Sequence, residues 1–354
     1  MKKIFLLGTN GSIGKQCLDV IDEQNIYEII GLSISYNDIE NHSIINKYQP
    51  KIIIVRTIKQ YYHYKSIYPQ KLIIYNIKNI NSAYRLLSKD TLVINGLSGI
   101  AGVLPMLKAI KHGLNVAFAN KESYVIYGSK INTLLKKHNV DLIPIDSELS
   151  SLYQLSAYIK KHYPKQTIIK YGITASGGAL RDKSEEELKT ISSLEIFNHP
   201  TWKMGKKVTL DSATLLNKAF EVIETIEYFN ISYKDICVKI ERSSNIHAFI
   251  ETNKETFYFI DTPDMKKHIR YALNYDTLEN FMCIVTKTNL KLLEINYDQY
   301  PIYSLAVGLY LTNKRAMKSL VKYSEKLCYL LINGKIVYCQ LVNDLCKFIK
   351  GRCK

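Results

Sequence analysis

Three acidic residues stand where a hard cation would need them. Asp146 and Glu148 lie one residue apart with the hydroxyl of Ser147 between them, at the end of an apolar run over 140–145, and Glu221 follows in a distant helical stretch. Two carboxylates at a strand end chelate a divalent ion when a third oxygen ligand comes from elsewhere, and Glu221 is the natural third. With no thiolate and few imidazoles in the set, Mg2+ or Mn2+ is expected rather than zinc. The competing reading is an ordinary cap for a helix over 150–161.

Glu221 belongs to the segment HPTWKMGKKVTLDSATLLNKAFEVIE, His199 to Glu224. Its first part is a loop that carries the only tryptophan, Trp202, beside His199, Lys203, Met204 and Lys206. Flat apolar surface mixed with cationic donors suits closure over an anion. Its second part reads as a helix capped near Asp211 or Ser212, which projects Asn217, Lys218 and Glu221 from one end. Taken alone, the same helix also reads as an amphipathic surface helix with a solvated polar stripe. A run over 168–174 leads into Ala175, Ser176, Gly177 and Gly178, which is either a backbone cradle for phosphate or an oxyanion, or a plain tight turn.

A second chemistry is written near the start. The apolar run Lys2 to Leu7 leads into Gly8, Gly11 and Gly14 and then into a helical pattern over 15–22. Strand, glycine turn and helix together bring backbone amides against a pyrophosphate, although this spacing is not the usual GxGxxG. After the next strand, over 27–33, no acid appears before Asp38, so a 2′-phosphate is tolerated and NADP is favoured over NAD. No Arg or Lys occupies that turn, Ser35-Tyr36-Asn37. Asn120, Lys121 and Glu122 close a later strand and point at the nicotinamide end of a cofactor, or cap the helix that follows.

The elements that must position these groups alternate. Apolar runs at 51–55, 71–75, 91–95, 114–119 and 140–145, with helical patterns between them, predict a mainly parallel sheet with helices on both faces. A charged helix over 181–188 follows, then two or three antiparallel strands around 237–242, 245–252 and 255–260, and a helix over 263–273. The fold class is α/β: a Rossmann-like dinucleotide-binding domain (1–145), a central α/β catalytic domain with metal site and flap (146–273), a connecting arm (274–300) and a small helical domain (301–354).

Composition narrows the class. At 354 residues the chain is large enough for two or three domains, and its net charge of +16 is spread along the chain rather than gathered into a run. No basic helix or RNP-like segment accompanies the charge, so no nucleic-acid partner is expected. The seven cysteines contain no CxxC pair and read as reduced thiols. The opening MKKIFLLGTNG is too short and too soon broken by glycine to be a signal segment, and no stretch is long and apolar enough to span a bilayer. A soluble, cytoplasmic protein is expected.

With GTNGSIGKQCLDVI, ANKES, IDSE, TASGG and HPTWKMGKK…DSATLLNKAFEVIE in this order, the chain resembles the 1-deoxy-D-xylulose 5-phosphate reductoisomerase family over nearly its whole length. The resemblance implies an NADPH- and Mg2+- or Mn2+-dependent conversion of that phosphosugar to 2-C-methyl-D-erythritol 4-phosphate, in non-mevalonate isoprenoid precursor synthesis, by a homodimer. It implies Asp146, Glu148 and Glu221 as metal ligands, and Ser147, Ser176, His199, Ser212, Asn217 and Lys218 as the holders of substrate and phosphate. Thr9, Asn10, Gly11, Ser12 and Ile13 would cradle the pyrophosphate. Ser35, Asn37, Asn120, Lys121, Glu122 and Gly205 would meet the cofactor, with Lys121 also on the substrate side. His199, Trp202 and Met204 would form a flap. Leu149 replaces the family's usual histidine, Ala179-Leu180 its Pro-Phe, and Ser35-Tyr36-Asn37 its basic turn. Two rival functions remain: another Rossmann oxidoreductase acting on a carbonyl substrate, and a decayed homologue that binds nucleotide or phosphosugar without turnover.

Overall fold

The computed structural model of the protein describes residues 1–202, 204–275, 284–286, 290 and 292–353. Their contacts divide the chain into two compact units: Met1–Ser123 with Ser129–Asp146 and Met265–Leu278, and Tyr124–Gly128 with Ser147–Asp264 and Glu279–Lys354.

The first unit begins with β1 (Lys2–Leu7), α1 (Ser12–Gln24), β2 (Tyr27–Ser33), α2 (Asp38–Tyr48), β3 (Ile52–Val55), α3 (Ile58–Ile67) and β4 (Leu72–Tyr75). It continues through α4 (Asn81–Tyr84), β5 (Leu92–Asn95), α5 (Val103–Lys111), β6 (Val116–Phe118), α6 (Glu122–His138) and β7 (Leu142–Pro144). The strands form one sheet in the order β4-β3-β2-β1-β5-β6-β7, parallel throughout. Strands covered on both faces lose any polar alternation, and β3 and β5 are buried at every position. The chain runs outward from β1 to β4 and then returns to β5 on the other side of β1. The crevice beyond the carboxyl ends of β1 and β5 is therefore the point where the winding reverses.

The second unit holds α7 (Ser147–His162), β8 (Ile168–Ala175), α8 (Glu185–Thr190), α9 (Ser193–Phe197), α10 (Lys206–Ala213), α11 (Leu216–Phe229), β9 (Ile236–Ile240), β10 (Ile246–Thr252) and β11 (Thr256–Ile260). After the excursion of α12 (Met265–Leu273) come β12 (Ile284–Thr286), α13 (Pro301–Thr312), α14 (Met317–Ile332) and α15 (Tyr338–Lys350). Its sheet runs β12-β11-β10-β8-β9.

Four details differ from the sequence expectation. β9 pairs with β8 in parallel, where an antiparallel strand was expected, and its last residue, Ile240, makes an antiparallel bridge to Leu293. The physical reason is the long helical connection, α8 through α11, between the two strands, since a parallel pair needs such a crossover. The charged helix expected over 181–188 starts only at Glu185, because Ser184 and Glu187 form a reciprocal capping box there. The helix expected to begin at Asp211 or Ser212 is two helices: α10 already starts at Lys206, and the chain breaks at Leu215 before α11. Finally, α12 lies against α1 in the first unit, burying Ile269, Ala272 and Leu273 in that unit's core. Burial of an Ile or Leu is worth about 1.5–3 kcal/mol. The exposed pairs on the same face, Arg270 with Glu23 and Lys266 with Asp19, are worth roughly 0–1 kcal/mol each, so apolar burial holds α12 in place. Part of the expected connecting arm, residues 276–283, 287–289 and 291, lies outside the described residues.

The glycines give opposite stability predictions. A Cβ on Gly14 would stand 2.2 Å from the backbone oxygen of Gly8 and 2.6 Å from that of Thr9, neither of which can yield cheaply. Gly14→Ala is expected to destabilise the protein by about 1–3 kcal/mol or more. Gly308 sits inside α13 with nothing within 4 Å of such a Cβ. Gly308→Ala is expected to stabilise by about 0.5–1 kcal/mol. Urea unfolding of both variants, followed by circular dichroism, measures the two signs.

Candidate active site

In the first unit the chain leaves β1 through Gly8, whose φ of +84° favours glycine, and Gly11 N closes the turn on Gly8 O at 2.9 Å. Gly11 is the N-cap of α1 and supplies no side-chain cap to the amides of the first turn. Thr9 is fully buried, and its hydroxyl has no hydrogen-bond partner. A helix N-terminus without a side-chain cap, a buried unpartnered hydroxyl and a cradle that a Cβ at Gly14 would fill are what a dinucleotide pyrophosphate needs, and the residues fit that group.

Asn10 ties this loop to the turn after β2. Its side-chain oxygen accepts from Ser35 N at 2.8 Å, and its amide donates to Glu40 and Asn41, both at 3.0 Å. Asn37 caps α2 by accepting from Glu40 N. Asn120 and Glu122 are taken up internally. Asn120 donates to the carbonyls of Leu97 and Gly99 and accepts from Ser123 N, while Glu122 accepts from Gly99 N at 3.0 Å. Both side chains shape the loop after β5. Lys121 points elsewhere, with Nζ 2.6 Å from Asp146 Oδ2.

The acidic residues converge. Asp146, Glu148 and Glu221 each offer a carboxylate oxygen, and these oxygens lie within 4.8 Å of one another. Lys218 binds the group from inside the second unit: its ammonium lies 2.6 Å from Glu148, pairs with Glu221 and donates to the carbonyl of Thr174 at the end of β8. Burial works against charge on Lys218, but Glu148 and Glu221 outweigh it and hold its pKa above the ordinary lysine value. Asn217 donates to Glu221, and Ser147 donates to Glu148. The family resemblance implies Lys218 and Asn217 as holders of substrate and phosphate, and in this structure both are bonded to the acidic group. An all-oxygen set of three carboxylates fits Mg2+ or Mn2+.

A separate cluster forms around the turn after β8. Gly177 and Gly178 both have positive φ, and a Cβ on Gly178 would collide with the backbone of Ser212 at 2.5 Å, so the turn packs on the last residues of α10. Ser176 Oγ lies 3.1 Å from His199 Nε2. Thr201 N and Trp202 N both donate to His199 Nδ1, at 3.2 and 3.0 Å. That nitrogen therefore carries a lone pair, and the ring is neutral with its proton on Nε2. Burial, helped by the charge of Arg181, pushes the His199 pKa down to about 4. Ser176 Oγ then accepts from His199 and from Gly178 N at 3.2 Å, which turns its own proton outward as a donor for an anion. Trp202 and Met204 are half-buried, Gly205 is the exposed N-cap of α10, and Lys203 lies outside the described residues.

Three residues that the sequence reading passed over belong to this setting. Arg181 donates to the carbonyls of Ser176 and Arg242, at 2.8 and 2.9 Å, and Tyr300 donates to Gly177 O at 2.9 Å, so both hold the glycine turn in shape. His247, on β10, is buried with its ring 6.0 Å from that of Trp202 and within the field of Glu148. Arg181 was hidden in a charged run and His247 in a strand pattern, so only the fold singles them out. Of the residues that depart from the family pattern, Leu149 and Leu180 are both buried.

Fold and site together define a dinucleotide-dependent α/β oxidoreductase. Residues 4–128 match the family model described as 1-deoxy-D-xylulose 5-phosphate reductoisomerase, and residues 142–229 match the model for its C-terminal domain. The enzyme of that name from Listeria innocua is 36% identical over 313 residues, covering 86% of this chain and 81% of its own. The one from Thermoanaerobacter sp. strain X514 is 35% identical over 350 residues, covering 96% and 90%. A crystal structure of DOX-P reductoisomerase in complex with NADPH, fosmidomycin and magnesium matches with a TM-score of 0.87 at 27% identity, covering all of this chain and 89% of that one. The chain belongs to the 1-deoxy-D-xylulose 5-phosphate reductoisomerase family.

The neutral His199 predicts a pH dependence. Its folded pKa, about 4, lies below the ordinary histidine value of about 6.5, so below pH 6.5 the unfolded chain takes up a proton that the folded ring refuses. Its contribution to stability is complete above pH 6.5 and is lost as pH falls towards 4. Carbon–proton NMR of the labelled ring should show the Nε2–H form at pH 7 and no titration until well below pH 6; a midpoint near 6.5 contradicts the assignment.

Proposed function

We propose that the chain catalyses the reductive isomerisation of 1-deoxy-D-xylulose 5-phosphate to 2-C-methyl-D-erythritol 4-phosphate, with NADPH and Mg2+ or Mn2+. The observation that carries this reading is the meeting of Asp146, Glu148 and Glu221, in a member of this family. When bound, the divalent ion supplies Lewis acidity to the vicinal oxygens of the hydroxyketone, and NADPH supplies the hydride that reduces the rearranged aldehyde. The reaction balances as phosphosugar, NADPH and a proton giving the methylerythritol phosphate and NADP+.

The remaining work falls to side chains. Asp146, Glu148 and Glu221 would hold the ion, while Lys218 and Lys121 pair with the three carboxylates. Ser176 donates its outward proton to the substrate phosphate, and His199 holds that hydroxyl in orientation. Ser212 stands behind the same glycine turn. Trp202 and Met204 close over the substrate and exclude water, which strengthens the surrounding electrostatic interactions. Thr9, Asn10, Gly11, Ser12 and Ile13 hold the pyrophosphate of NADPH through backbone amides and through the loop that Asn10 shapes.

Among the described residues no helix is long and apolar enough to cross a membrane. The cysteines at 17, 237, 328, 339, 346 and 353 are unpaired, which supports a reducing, cytoplasmic setting, and Cys283 lies outside the described residues. A homodimer is expected, and mass photometry at nanomolar concentration reads this directly.

The test is NADPH oxidation followed by absorbance with 1-deoxy-D-xylulose 5-phosphate and Mn2+, repeated with EDTA. Activity is expected to need all three components. Glu221→Gln and Asp146→Asn should each lower kcat/KM by roughly 100-fold or more, with the circular dichroism spectrum retained. Full activity in EDTA, or turnover of simple ketoacids in place of the phosphosugar, overturns the reading in favour of an oxidoreductase without isomerisation.

A further inference from the structure

The turn after β2 is where a sheet of this kind meets the ribose of the adenosine half, and a carboxylate there selects NAD while a cation accommodates the 2′-phosphate of NADP. Here the turn, Ser35-Tyr36-Asn37, has neither. The cation comes from the neighbouring strand. β2 and β3 run side by side, with Ser33 opposite Ile54 and Ile34 N bonded to Ile54 O at 3.0 Å, so Arg56 leaves the sheet beside the turn. Its guanidinium carbon lies 4.8 Å from the centre of the Tyr36 ring, and Tyr36 is 63% exposed. A guanidinium held over an aromatic face keeps its N–H donors for a further partner such as phosphate.

The backbone under this pair is locked. Gln60, only 8% exposed, accepts from Arg56 N at 3.1 Å and from Thr57 N at 3.3 Å, and donates to Ser35 O at 2.7 Å. The N–H of the same residue, Ser35, donates to Asn10 in the pyrophosphate loop at 2.8 Å. A buried amide thus ties Arg56 to the residue that anchors that loop. The acids nearest the turn are committed elsewhere. Asp38 accepts from Tyr64 OH at 3.0 Å, while Glu40 pairs with Lys15 at 2.7 Å and also accepts from Asn10 and Asn37. Neither is left to hold a ribose diol, and neither neutralises Arg56.

We propose that Arg56, stacked on Tyr36, binds the 2′-phosphate of NADPH and sets the preference of this chain for NADPH over NADH. The assignment rests on the NADPH reading above and adds the residue that would make it selective. A bidentate guanidinium–phosphate pair is the strong, geometrically specific form of such recognition, and here β3 supplies what the β2 turn lacks.

Calorimetric titration of the full chain with NADPH, NADH and adenosine 2′,5′-bisphosphate tests this without turnover. Arg56→Ala is expected to weaken NADPH and the bisphosphate roughly 10- to 100-fold while NADH stays within about twofold, which also shows that the variant is folded. Arg56→Lys should recover part of the loss, and Tyr36→Leu should weaken NADPH by a smaller factor than Arg56→Ala. If Arg56→Ala keeps the wild-type preference for NADPH, the pair is a plain surface contact and the proposal falls while the NADPH reading stands. If the wild-type chain binds NADPH and NADH equally, both fall.

Discussion

Three carboxylates gathered within 4.8 Å repel one another, and the rest of the site is arranged around that fact. At an effective dielectric of about 20, two like charges at that separation cost roughly 3 kcal/mol. Lys218, on Glu148 and Glu221, and Lys121, on Asp146, offset the repulsion. Two ammonium groups against three carboxylates leave one negative charge in excess, which favours a small divalent cation. Glu221 and Lys218 are both nearly inaccessible to solvent. Losing either partner would strand an uncompensated buried charge, which typically costs about 3–5 kcal/mol.

Meeting that constraint requires unusual backbone. α10 and α11 are continuous in sequence pattern, yet Leu215 adopts φ of +52° and separates them. Leu215 is buried in the core of the second unit, so packing holds it in a conformation that leucine rarely takes. The break redirects the chain so that the first two turns of α11 deliver Asn217, Lys218 and Glu221 to the acidic group. The glycine turn after β8 is held in a similar way. Gly177 and Gly178 supply the positive φ values, while Arg181 and Tyr300 reach in from other elements to fix the carbonyls of Ser176 and Gly177.

The departures from the family pattern fall in different places. Leu149 is buried next to Glu148, and Ala179-Leu180 continues the glycine turn into the apolar core of the second unit. The altered turn after β2 is of another kind, since it removes a charge from a ligand-facing position, and the structure places Arg56 beside it.

Periodicity and glycine placement in the chain are enough to determine the parallel sheet, because strands buried on both faces must be continuously apolar and the crossovers between them must be helical. The acidic trio was legible for a related reason: carboxylates at a strand end and within a helix have few structural uses. What sequence could not decide was set by contacts between distant segments. The parallel pairing of β9, the return of α12 to α1, the break at Leu215, and the places of Arg181, His247 and Arg56 all depend on which surfaces meet. Local pattern encodes which face of an element is apolar, but not which partner covers it. Asn120 and Glu122 bond to the loop after β5, and Lys218 bonds to carboxylates, because a buried polar group takes the nearest partner the fold provides.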